Sequence, residues 1–132
     1  MTMAKRDAQM ELLFKALADR TRLRLLNLMA AGEVCVCFFV EVLGTNQPKI
    51  SRHLAYLRRA GVVAARREGK WMHYRITTPE NEHAARVFGE VMTWLGEDRD
   101  MQKDRARMQT ICCAPRMPVR LQGAPRPEGI NA

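Results

Sequence analysis

The sequence predicts a mainly α-helical fold of four to five helices with one two-stranded β-hairpin. Three observations predict it. The 132 residues are 47% apolar, which suits one domain with a packed core. Apolar residues recur at spacings of three and four through most of the chain, and one stretch alternates in steps of two around a glycine turn.

Leu12, Leu13, Ala16 and Leu17 make one apolar face of a first helix over about Asp7 to Leu17. Asp19 suits the cap of a second helix, in which Leu23, Leu26 and Ala30 recur before Gly32 ends it. Val36, Phe39, Val40 and Leu43 then fall on one face of a short third helix that stops near Gly44. A fourth helix starts with Asn46 or Gln47 as its cap and Pro48 in its first turn, where a missing N–H costs little. Ile50, Leu54 and Leu57 share its inward face; Arg52 and Arg59 lie opposite, with Lys49, Ser51 and Tyr56 on the shoulders. Val62 to Arg67 and Trp71 to Ile76 flank Glu-Gly-Lys as the hairpin. Thr78 and Pro79 open a long helix striped by Ala84, Phe88, Val91, Met92 and Leu95, for which the first helix is a natural companion. Gly96 to Met108 is expected as a charged, solvated extension, with Met101 and Met108 as candidates to touch a partner. Residues 1–111 thus form the domain, and 112–132, rich in proline, are expected as a flexible tail carrying Cys112 and Cys113.

Charge is distributed unevenly. Lys and Arg number 22 against 14 Asp and Glu, for a formal +8. Between Lys49 and Arg75 there are eight basic residues and one acid, Glu68, so nearly all the excess lies in one stretch. A concentration of one sign marks a polyanion-binding surface rather than an ordinary solvated face. Two short helices joined by a glycine turn, the second basic on its outside and followed by a hairpin, make a winged helix-turn-helix. Gln47, Ser51 and Arg52 suit base edges in the major groove of double-stranded DNA. Lys49, Tyr56 and Arg59 suit phosphates or the groove edge, and Arg66, Arg67 and Lys70 at the hairpin tip suit the backbone or adjacent minor groove.

The four cysteines form two tight pairs, Cys35 with Cys37 and Cys112 with Cys113. The sequence has no run of about 20 apolar residues for a bilayer span, and its opening MTMAKRDAQM lacks a secretory core, so a cytoplasmic protein without membrane contact is expected. In a reducing compartment such thiols serve as ligands or redox groups before they serve as braces. His53, His73 and His83 match no compact chelate, and the nine methionines read as core filler. No Cys-x5-Arg oxyanion loop, glycine-rich phosphate loop or dinucleotide fingerprint occurs, so no enzymatic activity is expected.

Four segments carry a resemblance: Phe14-Lys15-Ala16-Leu17-Ala18-Asp19-Arg20-Thr21-Arg22, Glu33-Val34-Cys35-Val36-Cys37, Gln47-Pro48-Lys49-Ile50-Ser51-Arg52-His53-Leu54 and Glu68-Gly69-Lys70-Trp71-Met72-His73-Tyr74-Arg75. In this order and spacing, over about residues 8 to 95, the chain resembles the ArsR/SmtB arsenic- and metal-responsive repressors. The resemblance implies a homodimer that binds operator DNA and is released by an inducer. It places the terminal helices at the dimer interface, with Leu12, Leu13, Phe88, Val91, Met92 and Leu95 as the apolar contacts. It also implies As(III) or Sb(III) as inducer, held by thiolates, with no permanent cofactor. The arsenic-sensing branch carries a third cysteine where this chain has Val40, so Cys112 or Cys113 is the candidate to complete a shell begun by Cys35 and Cys37. On a regular helix, residues two apart point about 200° away from each other, so binding is expected to unwind the first turn. The alternative is the same DNA reader sensing thiol oxidation, persulfide or a soft divalent ion such as Cd, Pb or Zn. The paired acid and histidine ligands used by the zinc-sensing branch are not reproduced by Glu80, Glu82 and His83.

Overall fold

A computed structural model describes residues 2–112 and 121–128, the side chains of 2–8 excepted. The elements run α1 (Thr2–Leu17), α2 (Arg20–Leu28), β1 (Val34–Cys35), α3 (Val36–Leu43), α4 (Gln47–Arg59), β2 (Val63–Glu68), β3 (Trp71–Ile76), α5 (Glu82–Glu97) and α6 (Arg99–Cys112).

Local chemistry sets the helix ends. The Asp19 side chain accepts a hydrogen bond from the Arg22 N–H at the start of α2, and Asn46 accepts from the Lys49 N–H at the start of α4. Gly44 closes α3 at φ 67°, a left-handed conformation that glycine adopts without a side-chain penalty. The last long helix begins later than expected. Asn81, not Thr78, caps it, its Oδ1 accepting from the His83 and Ala84 N–H groups.

Leu25, Leu26, Phe38, Phe39, Ile50, Leu54 and Leu57 are fully buried and join α2, α3 and α4 in one core. β2 and β3 form the antiparallel hairpin, with Glu68 opposite Trp71 at its tip. The sheet has a third strand that the sequence does not announce. β1 pairs antiparallel with β3, Cys35 opposite His73, giving the order β1-β3-β2. Two residues are too few to show an alternating pattern.

The expectation for Gly96 to Met108 is overturned. These residues belong largely to α6, a sixth helix packed on α2, α3 and α5. Met101 and Met108 are buried, at 1% and 3% exposed, where a solvated extension would leave them free. Each such side chain contributes about 1.5–3 kcal/mol on leaving water. Asn27 on α2 donates from Nδ2 to the Met101 carbonyl at 2.8 Å. Charge on α6 had masked a narrow apolar stripe.

Cys112 ends α6 and is buried, and part of the segment expected as a flexible tail packs on the domain. Leu121 is fully buried, and the Glu128 N–H donates to the Glu33 carbonyl at 2.9 Å. The Glu33 N–H in turn donates to Glu128 Oε2 at 3.0 Å. At Gly32 an added Cβ would stand 2.6 Å from the Glu128 Cβ, so the close approach requires glycine there. A lone leucine among prolines carries no periodicity, which hid this anchor from composition. Cys113 lies outside the described residues.

Candidate DNA-reading surface and thiol pair

Helix α4 turns Ile50, Leu54 and Leu57 inward, and Gln47, Lys49, Arg52 and Arg59 stand exposed on its other side with Ser51 half-buried between them. Arg58 is also exposed and extends the basic face. Tyr56 is less available than expected: the Arg22 guanidinium lies 4.3 Å from its ring centroid and that of Arg59 5.0 Å. Arg22 itself is committed to the fold, donating to the Ala16 and Lys15 carbonyls at 2.8 Å each.

At the hairpin tip Arg67 and Lys70 are exposed, and Lys70 Nζ sits 4.9 Å from the Trp71 ring. Arg66 is held differently. Its Nη2 and Nε both donate to Glu33 Oε1, at 2.6 and 3.1 Å, and Nε also reaches Oε2 at 3.3 Å, making a charge-assisted pair. Hydrogen bonding from Arg66 holds the Glu33 carboxyl below its ordinary range, and the pairing pushes Arg66 up.

The thiol pair is already assembled. Cys35 Sγ and Cys37 Sγ stand 3.2 Å apart, with the Cys37 thiol donating. The expectation that the two must unwind a helix to converge is therefore corrected. Cys35 is not helical: it caps α3 with φ −72° and ψ 139°, so the chain turns between the two sulfurs instead of carrying them around a helix. That hydrogen bond draws the Cys35 thiol down to about 6 against the opposing cost of burial. Backbone N–H groups of Cys37 and Val36 and the nearby His73 add to the effect. The same interaction and burial push Cys37 up, so Cys35 is the more readily ionised of the two. Cys112 is buried at the end of α6. Among the described residues no three His, Cys, Asp or Glu side chains form a metal-holding group.

The terminal helices present an apolar face, but not through all the residues expected. Leu13, Phe88 and Leu95 are buried in this chain's own core and have little surface left for a partner. Leu12, Val91 and Met92 are half-buried, whereas Met10, Phe14, Val87 and Trp94 are exposed, Trp94 at 72%. Sequence reasoning missed these four because an apolar stripe does not say which of its edges meets the chain itself. An open groove of about 360 Å³ runs between Phe14, Leu23, Val87, Val91 and Trp94.

Comparison with known proteins bears on the same surfaces. Residues 19–65, spanning α2 to the start of the hairpin, match the model of the bacterial regulatory proteins of the arsR family. Over 91 residues the chain is 45% identical to the arsenical resistance operon repressor of Escherichia coli K12, covering 68% of this chain and 76% of that one. The chain belongs to the ArsR family. A second ArsR relative, the arsenic resistance transcriptional regulator ArsR2 of Pseudomonas putida, is 51% identical over 109 residues, 76% of this chain and 94% of its own. Among solved structures, the homodimeric winged helix-turn-helix DNA-binding domain of a possible ArsR-family regulator from Mycobacterium bovis matches with a TM-score of 0.58. It is 37% identical and covers 72% of this chain and 85% of that one. The expected winged helix-turn-helix is thus the observed fold, and the ArsR relatives named here are transcriptional regulators. Among the described residues no helix is long and apolar enough to cross a membrane.

Proposed function

We propose that this chain is a metalloid-responsive repressor that binds operator DNA as a homodimer and lets go when As(III) or Sb(III) is captured by Cys35 and Cys37. The observation that carries this reading is the 3.2 Å approach of the two sulfurs at the junction of β1 and α3, where hydrogen bonding lowers the Cys35 thiol. Trivalent arsenic is soft and prefers thiolate sulfur, and a converged pair supplies two donors without prior rearrangement. Helix α3 packs on α4, so a ligand that alters the junction acts next to the DNA-reading helix.

Cys112 or Cys113, within one subunit or across two, is the proposed third thiolate; α6 also packs on α3, and because Cys112 does not join the pair in a three-donor group here, capture by it would require movement or the partner subunit. The homodimer is formed through the exposed apolar edge of α1 and α5. Gln47, Ser51 and Arg52 read base edges, with Lys49, Arg59, Arg67 and Lys70 on the phosphates. Moving the DNA-competent population from 99:1 to 1:99 takes about 5.5 kcal/mol of differential affinity, a demand that sulfur–arsenic bonds can meet.

Arsenite titrated into a protein–DNA complex followed by fluorescence anisotropy should release the duplex, and Cys35→Ser or Cys37→Ser should bind DNA but resist release. Unchanged DNA affinity on adding arsenite to fully reduced wild-type protein overturns the reading. The low-lying Cys35 thiol beside Cys37 favours one second reading, release by oxidation of the pair. A reversible Cys35–Cys37 crosslink after peroxide, matched to DNA release in the absence of arsenite response, selects it.

A further inference from the structure

We propose that the Glu33–Arg66 ion pair is the link that carries occupancy of the thiol pair to the wing, so that Arg66 is a positioning residue for DNA release rather than a phosphate contact. This rests on the metalloid-sensing reading above. It follows from a single rung of the sheet. Cys35 on β1 lies opposite His73 on β3, and His73 lies opposite Arg66 on β2. Directly opposed residues on neighbouring strands project from the same face, so these three side chains form one row across two strand spacings, about 10 Å.

Alternate residues share that face, which places Glu68, two after Arg66 and opposite Trp71, on the neighbouring rung on one side of the row, and Glu33, two before Cys35 and just ahead of β1, on the other. The side chains close it into a network. Arg66 grips Glu33 through Nε and Nη2, the latter at 2.6 Å, and also lies 3.5 Å from Glu68. His73, only 4% exposed, stands beneath, its Nε2 3.3 Å from Glu68 and its Nδ1 3.8 Å from Glu33. Although Arg66 is open to solvent, the Glu33 side chain is 10% exposed.

Glu33 is pinned at three points. Its N–H and carbonyl both bond Glu128, and its carboxylate holds Arg66. A residue so held cannot absorb a shift of β1 by turning freely; a displacement that starts two residues away at Cys35 must reorient or break the Arg66 fork. Arg67 and Lys70 on the same hairpin move with it. Transmission between separate sites requires two states, and the link therefore needs the closed fork seen here to give way to an open one when the thiol pair is occupied.

The test uses full-length protein, arsenite, and a duplex selected from random-sequence DNA by the wild-type protein. For wild type, Glu33→Gln, Arg66→Gln and the double variant, arsenite affinity is measured by calorimetry and DNA affinity by anisotropy with and without arsenite. The expected result is arsenite affinity of the free protein within about threefold of wild type, with the arsenite-induced weakening of DNA binding reduced about tenfold or more, within the usual range of coupling between sites. The double variant should lose no more than either single one, the mark of a shared interaction. If Glu33→Gln does not fold, Arg66→Lys carries the same test, since it keeps the charge but loses the fork. Full wild-type release in any of these variants overturns the link, as does a drop of about 0.9 in the salt slope for Arg66→Gln with release preserved, which makes Arg66 a phosphate contact. A wild-type protein that ignores arsenite sinks the metalloid reading and this link together, whereas normal release in wild type and variants alike sinks the link alone.

Discussion

Arg24 on α2 holds Asp104 on α6 through two nitrogens, Nε at 2.7 Å and Nη2 at 3.0 Å from the two carboxylate oxygens. The Asp104 side chain is 14% exposed, so the pair is shielded from water and raises the Arg24 guanidinium above its ordinary value. Together with Met101 and Met108 it docks α6. Replacing Asp104 by Ala strands the half-buried guanidinium and should lower unfolding free energy by about 1–3 kcal/mol in urea denaturation. A change within about 0.5 kcal/mol would show that α6 docks through its methionines alone.

The strap 121–128 offers a second stability test. Leu121 is fully buried, so Leu121→Ala should cost about 2–5 kcal/mol through reduced burial and the cavity left behind. Glu128→Ala should cost less, because only its side-chain bond to the Glu33 N–H is removed and the backbone bond remains. Chemical denaturation of both variants ranks them, and an equal or reversed order means that the strap is held by Glu128 rather than by Leu121.

The thiol pair predicts a titration. Cys35, drawn down to about 6, is ionised at pH 7 and is protonated as pH falls through that value. Thiolate absorbance near 240 nm should show a step centred near pH 6 that Cys35→Ser removes. Two sulfur–arsenic bonds displace two hydroxides, which leave as water; with Cys35 already ionised and Cys37 supplying one proton, arsenite capture above pH 7 should take up about one proton from solution, and apparent affinity should fall as pH rises above about 6 and level off below it. A first thiol step above pH 8 in the folded protein contradicts this.

Exposed Trp94 and Phe14 predict where the subunits meet. Phe14→Asp or Trp94→Asp should leave a folded monomer by sedimentation and weaken DNA binding at least tenfold, since one subunit then spans one half-site. Leu95→Asp, at a residue buried in the chain's own core, should instead unfold the protein. A dimer surviving both exposed-face changes places the interface elsewhere.

Salt dependence checks the basic face. With Lys49 on a phosphate, Lys49→Ala should reduce the slope of log affinity against log salt by about 0.9 for each phosphate no longer neutralised. Arg52→Ala, at a base edge, should cost about 1–3 kcal/mol on the preferred duplex and much less on random DNA. Equal losses on both duplexes would move Arg52 to the backbone.

Much of this was legible in the sequence because the signals are local. Asp19, Asn46, Pro48 and Gly44 act through neighbours a few residues away, and Ile50, Leu54 and Leu57 declare a buried face by spacing alone. The hairpin around Gly69 was legible for the same reason. α6 was not: its charge hid the stripe of Met101, Met108 and Cys112, and only its packing on α2 and α3 shows that this stripe is buried. Neither was Arg66, whose partner Glu33 lies 33 positions away.

By itself, then, the sequence determined the order of helices and wing, the basic face of α4, and the presence of sulfur beside it, because capping, periodicity and charge act over one or two helical turns. The tertiary structure decided that Cys35 caps a helix and so meets Cys37, that Leu121 is an anchor, and that Arg66 turns to Glu33 instead of outward. Those outcomes depend on groups brought together across the sheet and core, where burial strengthens pairings that composition cannot reveal.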